Sequence, residues 1–442
     1  MGDKSSGPFF SILLGPLRGR IQSKASTIRS GPDPMPIPTP FHPVTSVLCK
    51  SNDWREWSGY LAAVTYEHTH EREYFAIRNS AALIDVTPLF KYDILGPQAE
   101  TLVDRIIPRN ITSCTIGQIL YTPWCDDDGK VIDDGTVWRL GQNRFRITAA
   151  DPSLRWFQDC GYGLEAEVID VSESVAAVAI QGPSSREILL RAAGAEGLDT
   201  LPFYHLTEGE IGGAPVIISR TGYTGDLGYE IWLDPVDAVT VWKRLMTAGT
   251  EFGLMPAGLA ALDLARLEAG LLLIEVDYIS SLKALTESRK SSPYELGLGW
   301  TVALEAGDFV GRRPLLEEKR RGSGWAFVGL EVAWSDIDHL YSLHDMAPQV
   351  AGRASRNPAP VYQNGKQIGQ ATSMGFSPLL KKYIALATLK RRHAALGSRV
   401  ELEMTVEYQR NRVPARVVRK PFYDPPHKRS DSPERAPQTS SR

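Results

Sequence analysis

Cysteine is scarce: Cys49, Cys114, Cys125 and Cys160 are the only four in 442 residues. Four thiols cannot staple a fold this long, and none forms a Cys-x-x-Cys pair, so buried, reduced thiols are expected. Long apolar runs are also missing. A membrane-crossing helix needs ~20 apolar residues, and the best stretch, 9–17, is broken by Gly15 and Pro16. No membrane association is expected, and a cytoplasmic location is the default reading. Charge of one sign is not in excess either: 49 Lys and Arg face 52 Asp and Glu, a net −3. A dedicated nucleic-acid binder would show a basic surplus, so no nucleic-acid partner is expected. There is no Gly-x-Ser-x-Gly elbow, and Gly297-Leu-Gly299 is followed by Val302 where a dinucleotide loop needs its third glycine. A nicotinamide or flavin domain is therefore not expected.

Proline is unevenly placed. Residues 1–44 hold eight of the 30 prolines and 425–442 hold four more. Those ends are basic, net +3 and +2, which leaves −8 on the 380 residues between them. Such composition reads as unfolded arms on an acidic folded body. The Arg- and Ser-rich start has two competing readings, an organelle transit peptide and an over-extended start ahead of Met35. The expected organisation is an arm over 1–44, a two-part region over 45–322, a β-rich domain over 323–423 and a tail over 424–442.

Within the body, helices are predicted over 99–107, 184–193 and 234–248. In the last, Asp234 is the cap, Pro235 suits the first position and Gly249 ends the helix. Another is predicted from near Pro256, with Ala260, Leu264, Leu267 and Leu271 on one face. After about 325 come six short β-rich runs, the pattern of a small antiparallel barrel. They are interrupted by a polar stretch, 335–358, read as a long loop.

Two segments carry candidate chemistry. In Arg220-Thr-Gly-Tyr-Thr-Gly-Asp-Leu-Gly-Tyr-Glu-Ile-Trp-Leu233, a glycine-rich turn leads into a strand. Period-two alternation puts Tyr229, Ile231 and Leu233 on one face, and Glu230 and Trp232 on the other. A carboxylate beside a large aromatic ring suits a flat heterocycle with paired N–H donors. An ordinary hairpin with a solvated Glu230 is the alternative. In Tyr121-Thr-Pro-Trp-Cys-Asp-Asp-Asp-Gly-Lys-Val-Ile-Asp-Asp134, five carboxylates invite a calcium reading. An EF-hand register would put ligands at Trp124 and Gly135, which have no side-chain oxygen, so no metal is expected. Asp126 to Gly129 reads as a polar turn. Asp133 and Asp134 follow Val131-Ile132, and a carboxylate held in a pocket there can exchange a proton with a substrate nitrogen. His68 and His70 lie in a charged run and read as solvated.

These segments resemble the glycine-cleavage T-protein, or aminomethyltransferase, family. Ser219-Arg-Thr-Gly-Tyr-Thr-Gly-Asp-Leu-Gly-Tyr-Glu-Ile231 looks like its folate-site loop. Val178-Ala-Ile-Gln-Gly-Pro183, Ala265-Arg-Leu-Glu-Ala-Gly270 and Gly129-Lys-Val-Ile-Asp-Asp134 follow the family's pattern, and 369–387 resembles its barrel. The resemblance implies an α+β fold: two α/β-mixed parts plus a C-terminal antiparallel β-barrel around a central channel. It implies tetrahydrofolate as cofactor and a one-carbon transfer. Glu230 would hold the pterin and Tyr223 would line its pocket, with Trp232 beside it. Asp134 would sit at the accepting nitrogen, with Asp133 next to it. Tyr121, Trp138, Phe203 and Tyr204 fall where the family places aromatics against the cofactor.

Some residues depart from the family pattern. Leu262 stands where the family usually has an arginine, Asp85-Val-Thr-Pro-Leu89 replaces its Asp-Val-Ser-His-Met, and 272–278 differs from its Tyr-Gly run. These positions would meet the donor and leave the pterin site intact. Three activities therefore stay open. The first is glycine-cleavage transfer from a lipoyl carrier protein. The second is demethylation of a small S-, N- or O-methyl donor. The third is a non-enzymatic folate-binding assembly factor.

Overall fold

The computed structural model describes residues 35–430. Of these, residues 36–430 belong to one compact unit. Its largest sheet has seven strands, in the order Ala193–Gly194, Leu206–Ile211, Ala214–Ser219, Gly228–Leu233, Ala176–Gln181, Ala82–Asp85 and Met255–Pro256. The Gly228–Leu233 strand is central and paired on both sides, with Glu230 opposite Ser219 on one side and Ala179 on the other. Tyr229, Ile231 and Leu233 enter a core with Trp242 and Leu245 of the helix Ala238–Ala248. Burying each such side chain is worth roughly 1.5–3 kcal/mol. The register is thus held against a one-residue slip that would turn Glu230 into that core.

A second sheet has five antiparallel strands, ordered Ile119–Cys125, Val131–Gly141, Arg144–Ala149, Phe90–Leu95 and Glu167–Asp170. The hairpin turn joining its first two strands is the expected polar one. Asp126 accepts from the N–H groups of Asp128 and Lys130, and Gly129 takes φ +71°. The barrel is closed, with six antiparallel strands between Trp325 and Val418. Fold class and barrel therefore agree with expectation.

Several boundaries are corrected. The arm expected over 1–44 gives way to structure earlier. Ile37–Pro38 pairs with Tyr60–Ala63, a helix spans His42–Leu48, and Phe41 is fully buried against Trp242. Residues 1–34 lie outside the described residues. The tail expected over 424–442 is packed as far as Ser430. The carbonyls of Lys428 and Ser430 accept from the buried Arg220, and Ser430 also accepts from Arg186; 431–442 lie outside the described residues. The stretch 335–358 contains a helix, Trp334–Ser342, that seats Ile337, Leu340 and Tyr341 on the barrel core. Its other positions are polar apart from the exposed Trp334, so its short apolar stripe was hidden. The helix after Pro256 spans Leu259–Glu268 and stops short of Leu271. His70 is buried, its Nε2 2.9 Å from the Gly352 carbonyl, while His68 is exposed. The four cysteines are free and buried. Among the described residues, no helix is long and apolar enough to cross a membrane.

Candidate functional site

The two sheets, the Leu259–Glu268 helix and the segment just after the barrel enclose a cavity of about 990 Å³. Glu230 and Trp232 reach it from the seven-stranded sheet, and Tyr121 and Asp134 from the five-stranded sheet. Tyr223, Phe203 and Tyr204 come from loops beside the Glu230 strand.

Glu230 is held by one oxygen. Thr221 Oγ1 donates to its Oε2 at 2.6 Å, and Ser219 Oγ lies 2.7 Å from Thr221 Oγ1. No side chain among the described residues donates to Oε1. Burial raises the carboxyl above the ordinary range, against the opposing pull of the Thr221 hydrogen bond. The site therefore presents a partly desolvated acceptor whose position is fixed and whose second oxygen is available.

Asp134 is held by both oxygens. Tyr121 Oη donates to Oδ2 at 2.6 Å, and Tyr278 Oη donates to Oδ1. Burial raises its carboxyl, and the two hydroxyls partly offset that rise. Asp133 points elsewhere. It is fully buried and off the cavity wall, and it accepts from the backbone N–H groups of Asp134, Ala150 and Asp151 at 2.8–3.0 Å. Burial first, then the adjacent Asp134 charge, raises it well above the ordinary range. Adjacent residues on a strand face opposite ways, so one carboxylate faces the cavity and the other fastens the wall.

Aromatic placement is similarly divided. Trp138 is buried behind the wall, its Nε1 donating to Thr136 Oγ1 at 2.7 Å and its ring edge-on to Trp232 at 4.9 Å. Phe203 and Tyr204 meet edge to face at 4.7 Å. Burial pushes the Tyr204 hydroxyl up to about 12 and that of Tyr223 higher still; both stay neutral donors. The Tyr223 hydroxyl donates to the Leu272 carbonyl.

Sequence reasoning missed several groups in and behind the cavity wall. Trp300 stacks on Tyr121 at 6.3 Å, and the Arg109 guanidinium lies over the Trp300 ring, 5.2 Å from its centre. Tyr278 lay inside the segment noted only as a departure. Arg266 lies in the Ala265–Gly270 motif but had no assigned task. It bridges Asp263 at 2.7 Å and Asp277 at 2.8 Å, and Arg356 reaches the other Asp263 oxygen at 2.7 Å. The Arg266–Asp263 pair is a local i,i+3 helix contact, but no local pattern announces Arg356 or Asp277 as further partners, because they lie beyond the helix. Leu262 lines the cavity, so the replaced arginine position does face the site.

Comparison with known proteins follows the same division of the chain. The model of the GCVT N-terminal domain matches residues 47–306. The glycine cleavage T-protein C-terminal barrel domain matches 346–424. An aminomethyltransferase from Halothermothrix orenii is 35% identical over 371 residues, 83% of this chain and 95% of that protein. A trimethylamine-oxide aldolase from Ruegeria pomeroyi is 36% identical over 366 residues, 80% of this chain but 43% of that longer protein. The glycine cleavage system aminomethyltransferase T from Bartonella henselae shares the fold, with a TM-score of 0.74 at 24% identity over 88% of this chain and 98% of its own.

Proposed function

The chain belongs to the glycine cleavage T-protein family, and from that premise we propose that its cavity binds tetrahydrofolate and that Asp134 serves a one-carbon transfer there. The observation that carries this is the pair of differently held carboxylates, Glu230 with one oxygen available and Asp134 with both oxygens occupied by tyrosines. A volume of about 990 Å³ suits a ligand of folate size, since such sites span about 300–1,000 Å³. The available Glu230 oxygen and the adjacent Trp232 and Tyr223 fit a flat ring bearing N–H donors. When bound, tetrahydrofolate supplies the nitrogen that carries the one-carbon unit.

In this reading Glu230 accepts from the pterin and sets its register. Trp232, Tyr223, Tyr121, Phe203 and Tyr204 exclude water around it. Asp134 holds or takes the proton at the accepting nitrogen, and its tyrosines fix the carboxylate in place. Asp133 and Trp138 act from behind the wall as positioning residues. Much of the rate gain comes from orientation, which needs a rigid wall more than a strong acid or base.

Two donors are compatible with this site. One is the aminomethylated lipoyl carrier protein used by the family's glycine-cleavage members. The other is a small methylated donor, favoured by Leu262 on the cavity wall and by the similarity to the Ruegeria protein. Buried, unpaired thiols support a reducing, cytoplasmic setting. To test the reading, purified protein is incubated with tetrahydrofolate and either aminomethylated carrier or a panel of methylated amines, sulfonium compounds and ethers. The folate product is identified by mass. Methylene-folate supports the first donor and methyl-folate the second. In parallel, Glu230→Gln should weaken tetrahydrofolate binding by about 10–100-fold, the value of a hydrogen bond to a charged group. Unchanged affinity would remove the pterin assignment; binding without turnover of any donor would leave a folate-binding assembly factor.

A further inference from the structure

Three cations border one side of the cavity, and only two carboxylates answer them. Arg266 and Arg356 share Asp263, and Arg266 also bridges Asp277. Asp277 is fully engaged. Its Oδ2 accepts from Arg266 Nη1 and from Leu273 N at 2.9 Å, and its Oδ1 accepts from Thr372 at 2.6 Å and Ser373 at 2.7 Å. The third cation is Lys420. It lines the cavity, and its Nζ has no hydrogen-bond acceptor among the described residues. Its ammonium lies 4.3 Å from the centre of the Phe327 ring.

The Lys420 side chain runs in a slot that glycines keep open. A Cβ at Gly270 would come within 3.1 Å of Lys420 Cβ, and one at Gly297 within 3.4 Å of Nζ. Both glycines have positive φ, +65° and +76°. The slot therefore holds a half-buried ammonium at the cavity wall, resting on the Phe327 ring with no carboxylate among the described residues in direct contact, so an anionic group entering the cavity meets a charge left to pair. Burial lowers the Lys420 ammonium to about 8; Asp277 is the charged group facing it and opposes that fall.

We propose that Lys420 binds a carboxylate of the one-carbon donor, so that the donor is a short carboxylic acid whose far end carries the transferable unit. The anion site stands on the geometry alone; naming its occupant the donor rests on the folate reading above.

Propionate and its uncharged analogue propionamide probe the site by calorimetric titration of the full chain, with and without tetrahydrofolate. Propionate should bind at least tenfold more tightly than propionamide at pH 7. Its affinity should fall about tenfold per pH unit above about 8, as the ammonium deprotonates. Lys420→Met keeps the apolar stem on Phe327 and should erase the preference. Lys420→Arg should retain it and lose the alkaline fall, because arginine stays charged. Equal binding of the two probes, or a preference that survives Lys420→Met, overturns the proposal. So does a loss of tetrahydrofolate affinity beyond threefold in Lys420→Met, which would assign the charge to folate's own carboxylates. If wild-type protein binds no tetrahydrofolate, the folate reading fails while the folate-free titration still decides the anion site.

Discussion

At the scale of single residues, Asp134 is held between burial, which favours its neutral form, and two tyrosine hydroxyls, which favour its ionised form. Tyr278→Phe removes one hydroxyl and should raise the carboxyl further. A hydrogen bond to a charged group is worth about 1.5–3 kcal/mol, which is about 1–2 pH units. If turnover needs the ionised form, the acid limb of kcat against pH should move to higher pH by about that amount. Tetrahydrofolate affinity at pH 8 should change little. Because Asp133 and Asp134 interact, the limb reports the pair. An unmoved limb would separate Asp134 from the proton step. Glu230 and Asp134 were legible in the sequence because each stands in a compact motif where strand alternation sets its direction. Tyr278 was not, because it meets Asp134 across 144 positions of chain. Trp138 was expected against the cavity and lies one layer behind its wall, since a motif position does not say which side of a wall a ring occupies.

At the scale of elements, the strand Val131–Gly141 both carries Asp134 and ties down the turn after the next strand. Asp133 makes that tie through the backbone N–H groups of Ala150 and Asp151, and it also accepts from the N–H of Asp134 on its own strand. Asp133→Ala leaves them without an acceptor in a buried setting. Each such loss costs about 1–3 kcal/mol, not additively, so a total of about 3 kcal/mol is expected. The urea midpoint should fall accordingly; a midpoint within error of wild type would show that water replaces the carboxylate at no cost. The barrel was readable because its runs are short and β-rich and, after 358, follow one another closely. The Trp334–Ser342 helix was not, because only Ile337, Leu340 and Tyr341 of its nine residues are buried. Its place is decided by the barrel surface it covers, which sequence periodicity does not contain.

At the scale of the whole molecule, both ends of the described residues pack onto the folded body. Arg220 is fully buried and donates to the carbonyls of Lys428 and Ser430, while Asp226 accepts from Tyr423 and His427. Truncation after Tyr423 removes several of these partners from buried charges, which is the expensive way to break a polar network. The melting temperature should fall by at least about 5 °C, given roughly 2–4 °C per kcal/mol in larger domains. A truncated chain that melts with the full one would show the tail to be ornamental. The same topology bears on synthesis. The cavity wall runs in sequence from Arg55 to Pro421. At about 5–20 residues per second, roughly 20–70 s separate translation of Arg55 from that of Lys420. A nascent chain spends that interval with a binding site that lacks its last wall. Ligand cannot shift the folding equilibrium of a chain that cannot yet bind it. A ligand of this cavity can therefore stabilise the finished protein against degradation, but not the unfinished one.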